Sequence, residues 1–454
     1  MMRLRPRVVV ASLSLLTLAG CATPTVIGGA PTATPANIGT KLPTRGTPTV
    51  GAGGTPTTQD ICPAAGNPST YCYTPHSLQV AYHLDSLIKQ GFTGKGQTVV
   101  DIVSYGNPTI QQDMDVYSKQ FGLPSVQVQV IAPLGTTPTD NPSASDRSGW
   151  AGETQGDVEM IHAIAPDAKI VVLTSPVAET EGAVGFPEFL KLEQYAVDHQ
   201  LGSIVSQSFG ASEYSLQNDP AGPAIVQQFA SFYQTATTQK GITFLASSGD
   251  GGATDVADAT SSKLVPHRTS SFPNDVPWVT SVGGTTLHAN SATLAESGWD
   301  RSGGGTSALF TEPDYQKGLP SANQSILNGQ RGLPDIAAVA DPYTAPMFYV
   351  GGQWIQIGGT SMSAPLWAGV VAIANQVAGH SLGFINPALY KLGEGSTYAQ
   401  DFRDITVGNN SVNTGSVTVQ GFDAVAGWDA CTGWGAPLGD HLVQDLVAAS
   451  QPAS

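Results

Sequence analysis

Short β-branched runs alternate with segments of helical spacing between residues 97 and 282. That alternation leaves few ways to fold. Gln97 to Ser104 (QTVVDIVS) suits a strand buried in a parallel sheet. Ile110 to Gln120 has the pattern of a surface helix, and Val126 to Ala132 (VQVQVIA) alternates as a strand with one exposed face. Residues 151–165 are helical in spacing, followed by a strand at Lys169 to Thr174, a helix at 187–199 and a strand at Ser203 to Ser208. A helix over 222–239, a strand at Thr243 to Ser247 and a short apolar strand at Val276 to Val282 complete the series. Strands and helices at βαβ spacing predict an α/β fold: a doubly wound, mostly parallel sheet with helices on both faces. There is no internal repeat, and no second domain is expected after residue 73.

Composition removes other classes. The 454 residues carry a net charge of −16, with 12% charged and 41% apolar residues. A surface this acidic does not hold nucleic acid by its phosphates. The apolar fraction is too high, and the charge too dilute, for a chain disordered throughout. The length admits one large domain with accessories, or two to three average ones, and a core of that size needs no cysteine staples.

The front of the chain reads as an export signal. Arg3, Arg5 and Arg7 precede an apolar stretch from Val8 to Leu18, too short for a permanent membrane span. Leu18-Ala19-Gly20-Cys21 resembles the bacterial lipoprotein signal, which implies cleavage after residue 20 and a lipid anchor on Cys21; plain secretion is the alternative. Residues 1–21 are thus expected to be a signal and 22–60, rich in Thr, Pro and Gly, an extended tether. Residues 61–450 are expected to form the domain. Cys62 and Cys72, close together in an exported chain, are expected to pair, and Cys431 to be a buried small hydrophobe.

Gly358-Gly359-Thr360-Ser361-Met362-Ser363-Ala364-Pro365 stands before an apolar helical run, Leu366 to Val377. A serine where a glycine turn enters a helix has an exposed hydroxyl at the helix's positive end. A nucleophile needs that access, and donors for an oxyanion. The string resembles the subtilisin-like superfamily of serine peptidases. None of the eight histidines lies in the His-Gly-Thr-His run that subtilisins proper use, and His162 sits in the context of a helix face.

The match extends to the sedolisin, or serine-carboxyl peptidase, family. Glu153 and Asp157 are four apart in GETQGDVEMIHAIAPDAKI, a spacing that puts both carboxyls on one helix face. They resemble that family's Glu/Asp pair, in which glutamate does the work of a histidine. Ser206 to Gly210 (SQSFG) resembles its substrate-lining strand, and Ala246 to Gly252 (ASSGDGG) the loop with its oxyanion aspartate, here Asp250. Phe272-Pro273, Val279 to Thr285 and Ser302 to Ser307 follow in the expected order. The resemblance covers roughly residues 73–445. It implies an endopeptidase acting on protein or peptide substrates, with Ser361 as nucleophile, Glu153 as general base and then acid, Asp157 as its partner and Asp250 as oxyanion donor.

Elementary chemistry agrees. Two like charges on one helical face repel, so one carboxyl keeps its proton to higher pH. Beside a developing oxyanion, Asp250 helps only when protonated. Activity is therefore expected to peak well below neutrality.

The resemblance also implies one structural calcium ion held by Asp404 and Asp429 with the carbonyls of Ile405, Val425 and Gly427, where the family usually has glycine at the valine position. It implies a large propeptide too, for which about fifty residues between Cys21 and the domain leave no room. The expected protein is an exported, lipid-anchored monomer. The rivals are a non-catalytic surface-binding protein on a peptidase scaffold and a neutral subtilisin-type enzyme.

Overall fold

The computed structural model describes residues 40–41, 71–178, 183–258, 261–289 and 294–450. The expected signal ending at Cys21, the tether apart from Thr40–Lys41, and Cys62 of the expected disulfide lie outside the described residues. Among the described residues no helix is long and apolar enough to cross a membrane.

The central sheet contains β1 (Thr98–Ser104), β2 (Val128–Ile131), β3 (Lys169–Ser175), β4 (Ile204–Gln207), β5 (Thr243–Ser247), β6 (Thr280–Ala289), β7 (Leu294–Gly298) and β8 (Ile336–Val339). Their spatial order is β7-β6-β5-β4-β1-β3-β2, and β8 pairs with β6. Every pairing is parallel except β6 with β7. The crossovers are helices: α1 (Ile110–Phe121), α2 (Ala144–Ile164), α3 (Phe186–Asp198) and α4 (Gly222–Lys240); α5 (Thr360–Ala378) enters after β8. This is the doubly wound α/β arrangement that the alternating pattern predicts.

The sheet's period of two assigns its faces. Val99 and Val103 of β1, with Val172, Ile204 and Leu245, join one core with residues of α2 and α5. Val100, Ile102, Val171, Leu173 and Val205 join a second core with residues of α3 and α4. Both faces are covered, so the strands read as continuous apolar runs. α5 is buried from Thr360 to Asn375, and its Trp367 indole N–H donates to the Ala337 carbonyl of β8 at 2.8 Å. A helix apolar all round has to lie inside the protein, which is why this one can carry a reactive residue to the sheet.

Several boundaries differ from the sequence expectation. α2 starts at Ala144 rather than 151, because Ser143 and Asp146 form a reciprocal cap: the Asp146 N–H donates to Ser143 Oγ at 3.1 Å and the Ser143 N–H to Asp146 Oδ2 at 2.8 Å. The strand expected at Val276 begins only at Thr280 and runs on to Ala289. Residues 273 and 277 are prolines, which cannot donate to a ladder. β2 is an edge strand whose Val130 is exposed, so its alternation does not mark a buried face. β7, β8 and the C-terminal helix Gly439–Ala449 have no counterpart in the expected series. Cys431 is a free, buried thiol, as expected.

Candidate active site

Open α/β sheets offer a crevice at the carboxyl ends of their strands. Here β4 ends at Gln207 and delivers Ser208, and β5 ends at Ser247 and delivers Asp250 two residues after Ser248. Ser361 occupies the first turn of α5, 9% exposed. Its entry depends on Gly359, at φ 121° and ψ 158°, a backbone region open essentially to glycine alone. A Cβ at Gly359 would also stand 2.7 Å from Asp250 Oδ2.

Asp250 is anchored through the neighbour of the serine. Its Oδ1 accepts from the Thr360 N–H at 2.8 Å and from the Thr360 hydroxyl at 2.9 Å. The same hydroxyl oxygen accepts from the Gly249 N–H at 3.0 Å, and the Arg301 Nε–H donates to the Asp250 carbonyl at 3.1 Å. Oδ1 is committed as an acceptor, which leaves Oδ2, beside Gly359, to carry a proton. Burial raises the Asp250 pKa, and the Thr360 bonds and Arg301 oppose it.

Glu153 and Asp157 lie one turn apart on α2, in its wholly buried half. Gly156 lets α5 approach: a Cβ there would be 2.9 Å from the Met362 sulfur. Glu153 is 2% exposed, and neither of its carboxyl oxygens has a hydrogen-bond partner in closed geometry. Burial pushes its pKa up to about 8, with the charge of Asp250 adding to the rise; the nearby Ser361 and Ser208 hydroxyls oppose it. Ser361 thus stands within interaction range of Glu153, but the final hydrogen bond is open, as catalytic contacts commonly are without substrate.

Ser208 bridges the set. Its hydroxyl lies 2.9 Å from Asp157 Oδ1 and 3.1 Å from the Ser361 carbonyl oxygen. That carbonyl is available because the helical partner four residues on is Pro365, which has no N–H. Burial and the charges of Asp101 and Glu153 raise the Asp157 pKa. Where the sequence motif suggests a substrate-lining strand, Ser208 also ties the α2 carboxyls to the serine turn.

All four expected catalytic residues therefore lie together at the carboxyl ends of β4 and β5. His162 does not join them. It is fully buried, its Nε2 lies 3.1 Å from the Ser118 hydroxyl of α1, and burial lowers its pKa to about 4. Sequence reasoning missed the Thr360 anchor and Asp101 of β1, whose carboxyl reaches Asp157. The signal for Asp101 was present as a single acid inside TVVDIVS.

The expected metal residues also lie together. The Gly427 N–H donates to both Asp404 carboxyl oxygens, at 3.2 and 3.1 Å. Asp429 Oδ1 accepts from the Cys431 and Thr432 N–H groups at 2.9 and 2.8 Å, and its Oδ2 from Val425 N–H at 3.0 Å. Among the described residues, no hydrogen bond uses the carbonyls of Ile405, Val425 or Gly427. Val425 is not among the residues with left-handed backbone, so valine suits a position usually held by glycine. Two carboxylates and three uncommitted carbonyls fit a hard cation, although no group of three acidic, His or Cys residues marks a metal site among the described residues.

Comparison with known proteins agrees with this geometry. The model of the subtilase family matches residues 144–391. Kumamolisin of Bacillus sp. (strain MN-32) is 33% identical over 391 residues, covering 84% of this chain and 65% of that protein. Sedolisin of Pseudomonas sp. (strain 101) is 30% identical over 329 residues, covering 69% and 52%. Tripeptidyl-peptidase 1 of Rattus norvegicus is 28% identical over 337 residues, covering 70% and 55%. The chain thus spans about two thirds of the first of these relatives and about half of the other two. The solved structure of Pseudomonas sedolisin, a serine-carboxyl proteinase complexed with two molecules of pseudo-iodotyrostatin, aligns with TM-score 0.62 at 29% identity, over 78% of this chain and 92% of that one. With a subtilase core, relatives of this kind, and carboxyls rather than a histidine around the helix-entry serine, the chain belongs to the subtilase family and, within it, to the sedolisin or serine-carboxyl peptidases.

Proposed function

We propose that the protein is an exported, acid-active serine endopeptidase that cleaves protein or peptide substrates through an acyl-enzyme on Ser361. The observation that carries this reading is the anchoring of Asp250 by Thr360, which sets an oxyanion donor beside Ser361 and within the field of Glu153. Glu153 takes the Ser361 hydroxyl proton as Oγ attacks the scissile carbonyl. The oxyanion is met by the Asp250 Oδ2 proton and by N–H groups at the start of α5. Glu153 returns its proton to the leaving amine, and then activates the water that releases the acyl group. Asp157, one turn along α2, acts on Glu153 through its charge.

The working form needs Glu153 ionised and Asp250 neutral. Glu153 alone would keep its proton to about pH 8. The working form, however, has the same proton count as the one in which Asp250 is charged and Glu153 neutral. Its population follows the macroscopic steps of the cluster, not Glu153 alone. Activity declines once a further proton leaves and both carboxyls are charged.

Casein digestion from pH 3 to 8 tests this. The expected outcome is a maximum below pH 6 that Ser361→Ala removes. A maximum above pH 7 would support a subtilisin-type base instead, although His162 is remote in its contacts. No digestion by the parent would favour a non-catalytic binding role, and undiminished digestion by the alanine variant would remove Ser361 as the nucleophile.

A calcium ion held by Asp404, Asp429 and the carbonyls of Ile405, Val425 and Gly427 would supply charge to pin two loops together. Gly435, beside Arg403, and Trp434 connect these loops to β8 and Asp335. Calcium at a hundredfold excess over its dissociation constant should stabilise the chelated protein by about 2.7 kcal/mol. Differential scanning calorimetry in EDTA and in calcium reads this as a rise in Tm; magnesium should do less. Equal Tm values in both would argue against the site. Cys21 would carry the lipid anchor and residues 22–60 the tether, with the domain over 61–450 working outside the cytoplasm as a monomer.

A further inference from the structure

We propose that Asp101 is a positioning residue for the catalytic carboxyls: it shares one proton with Asp157 and so fixes the charge that the pair presents to Glu153. Its effect on rate depends on Glu153 acting as the base; the shared proton does not.

Asp101 lies in the middle of β1, between Val100 and Ile102, and is completely buried. Its side chain shares the face of Val99 and Val103, beneath α2 and α5. In register beside it are Val172 of β3 and Ser206 of β4. The titratable groups facing it are Asp157 and Glu153 of α2, with Asp250 beyond Glu153. It forms no salt bridge among the described residues and no hydrogen bond closes on either of its oxygens; the backbone donor in its range is the N–H of the next residue, Ile102. The side chain in its range is the carboxyl of Asp157, whose Oδ2, like both oxygens of Asp101, has no other hydrogen-bond partner.

Two carboxylates have no donor between them, so that contact closes only when one carries a proton. A buried carboxyl with no cation and no closed hydrogen bond is costly, and an apolar residue of similar size is generally as good or better for stability. The neighbouring valines and isoleucine show what the sheet itself favours. Asp101 is therefore not explained by packing. What it does change is Asp157. A pair sharing one proton carries a single negative charge over a broad pH range, near Glu153. That charge raises the proton affinity of Glu153 and makes it the stronger base. The direction of the burial effect is consistent: both aspartates hold protons above the ordinary carboxylate range.

A double-mutant cycle on the whole exported chain tests the shared proton. Parent, Asp101→Asn, Asp157→Asn and the double variant are unfolded in urea from pH 3 to 8. An acid whose folded pKa is raised contributes stability below its unfolded pKa and loses it as pH rises. Asp101→Asn should therefore gain on the parent as pH rises above about 4. The two single effects should be non-additive, because one proton serves both groups. Additive effects at every pH would overturn the proposal, as would a flat difference between Asp101→Asn and parent. Asp101→Leu serves if the amide fails to fold. In the rate, the acid limb of kcat/KM should move to lower pH by about half to one unit in Asp101→Asn, with KM unchanged; a merely structural residue would leave the limb in place, and an unmoved limb would overturn the link to Glu153. If the parent hydrolyses nothing, the peptidase reading fails while the unfolding cycle still decides the shared proton.

Discussion

Glu153→Gln should lower kcat/KM by about 10³–10⁴-fold at the optimum pH while the protein stays folded. Glutamine keeps the shape of the side chain but cannot accept the Ser361 proton. The loss should fall on kcat, because Glu153 is buried and offers little surface to a substrate. Stability should move the other way. Burial raises the Glu153 pKa to about 8 against an ordinary value of 4.5. The raised value gives stability that is complete below the unfolded pKa and is lost as pH climbs towards 8. Glutamine removes that loss, so the variant should gain on the parent between pH 4 and 8 in urea titrations. An inactive variant that is also unfolded would leave Glu153 a structural residue only.

Substitutions at Asp250 separate its two jobs. Asp250→Ala removes the donor to the oxyanion and should cost about 10²–10³-fold in kcat. Asp250→Asn should cost less. The Thr360 N–H and hydroxyl both donate to Oδ1, so the amide oxygen takes that place and the NH₂ group falls where Oδ2 stood. An amide donor cannot ionise. The alkaline limb of the pH–rate profile should therefore move upward in Asp250→Asn, towards the range set by the other carboxyls. A limb that stays where the parent has it would assign the fall in activity to another group.

Much of this site was legible in the sequence because its parts are local. The glycine turn, the serine and the all-apolar helix behind it lie within one short string, and Glu153 and Asp157 are placed on one face by helical spacing alone. The parallel sheet followed from β-branched runs at βαβ intervals. Other features depend on residues far apart in sequence. The Thr360 anchor of Asp250 joins positions 110 residues apart, and the Ser208 bridge to the Ser361 carbonyl spans 153. Nothing local marks either. The bridge further requires Pro365 to free that carbonyl, a consequence visible only once the helix is built. Strand β8 has little signal in the sequence because Ile336–Val339 is a four-residue run rich in alanine, with weak β-propensity, buried by α5 and paired with β6. Periodicity places the start of α2 late because residues 144–150 are mostly polar or small; the Ser143–Asp146 cap sets that end.

The claim on which the account rests is that a carboxyl, and no imidazole, takes the serine proton. The most direct measurement is single-turnover acylation of Ser361 by a peptide p-nitrophenyl ester, followed by p-nitrophenol release and by mass of the intact protein across pH 3 to 8. The account predicts one acyl group on Ser361 in the parent, formed fastest in acid, with Glu153→Gln acylating slower by about 10³-fold or more and His162→Gln acylating at the parental rate. Rapid acylation by Glu153→Gln, or a rate that follows a histidine-like rise near pH 6–7, would contradict it.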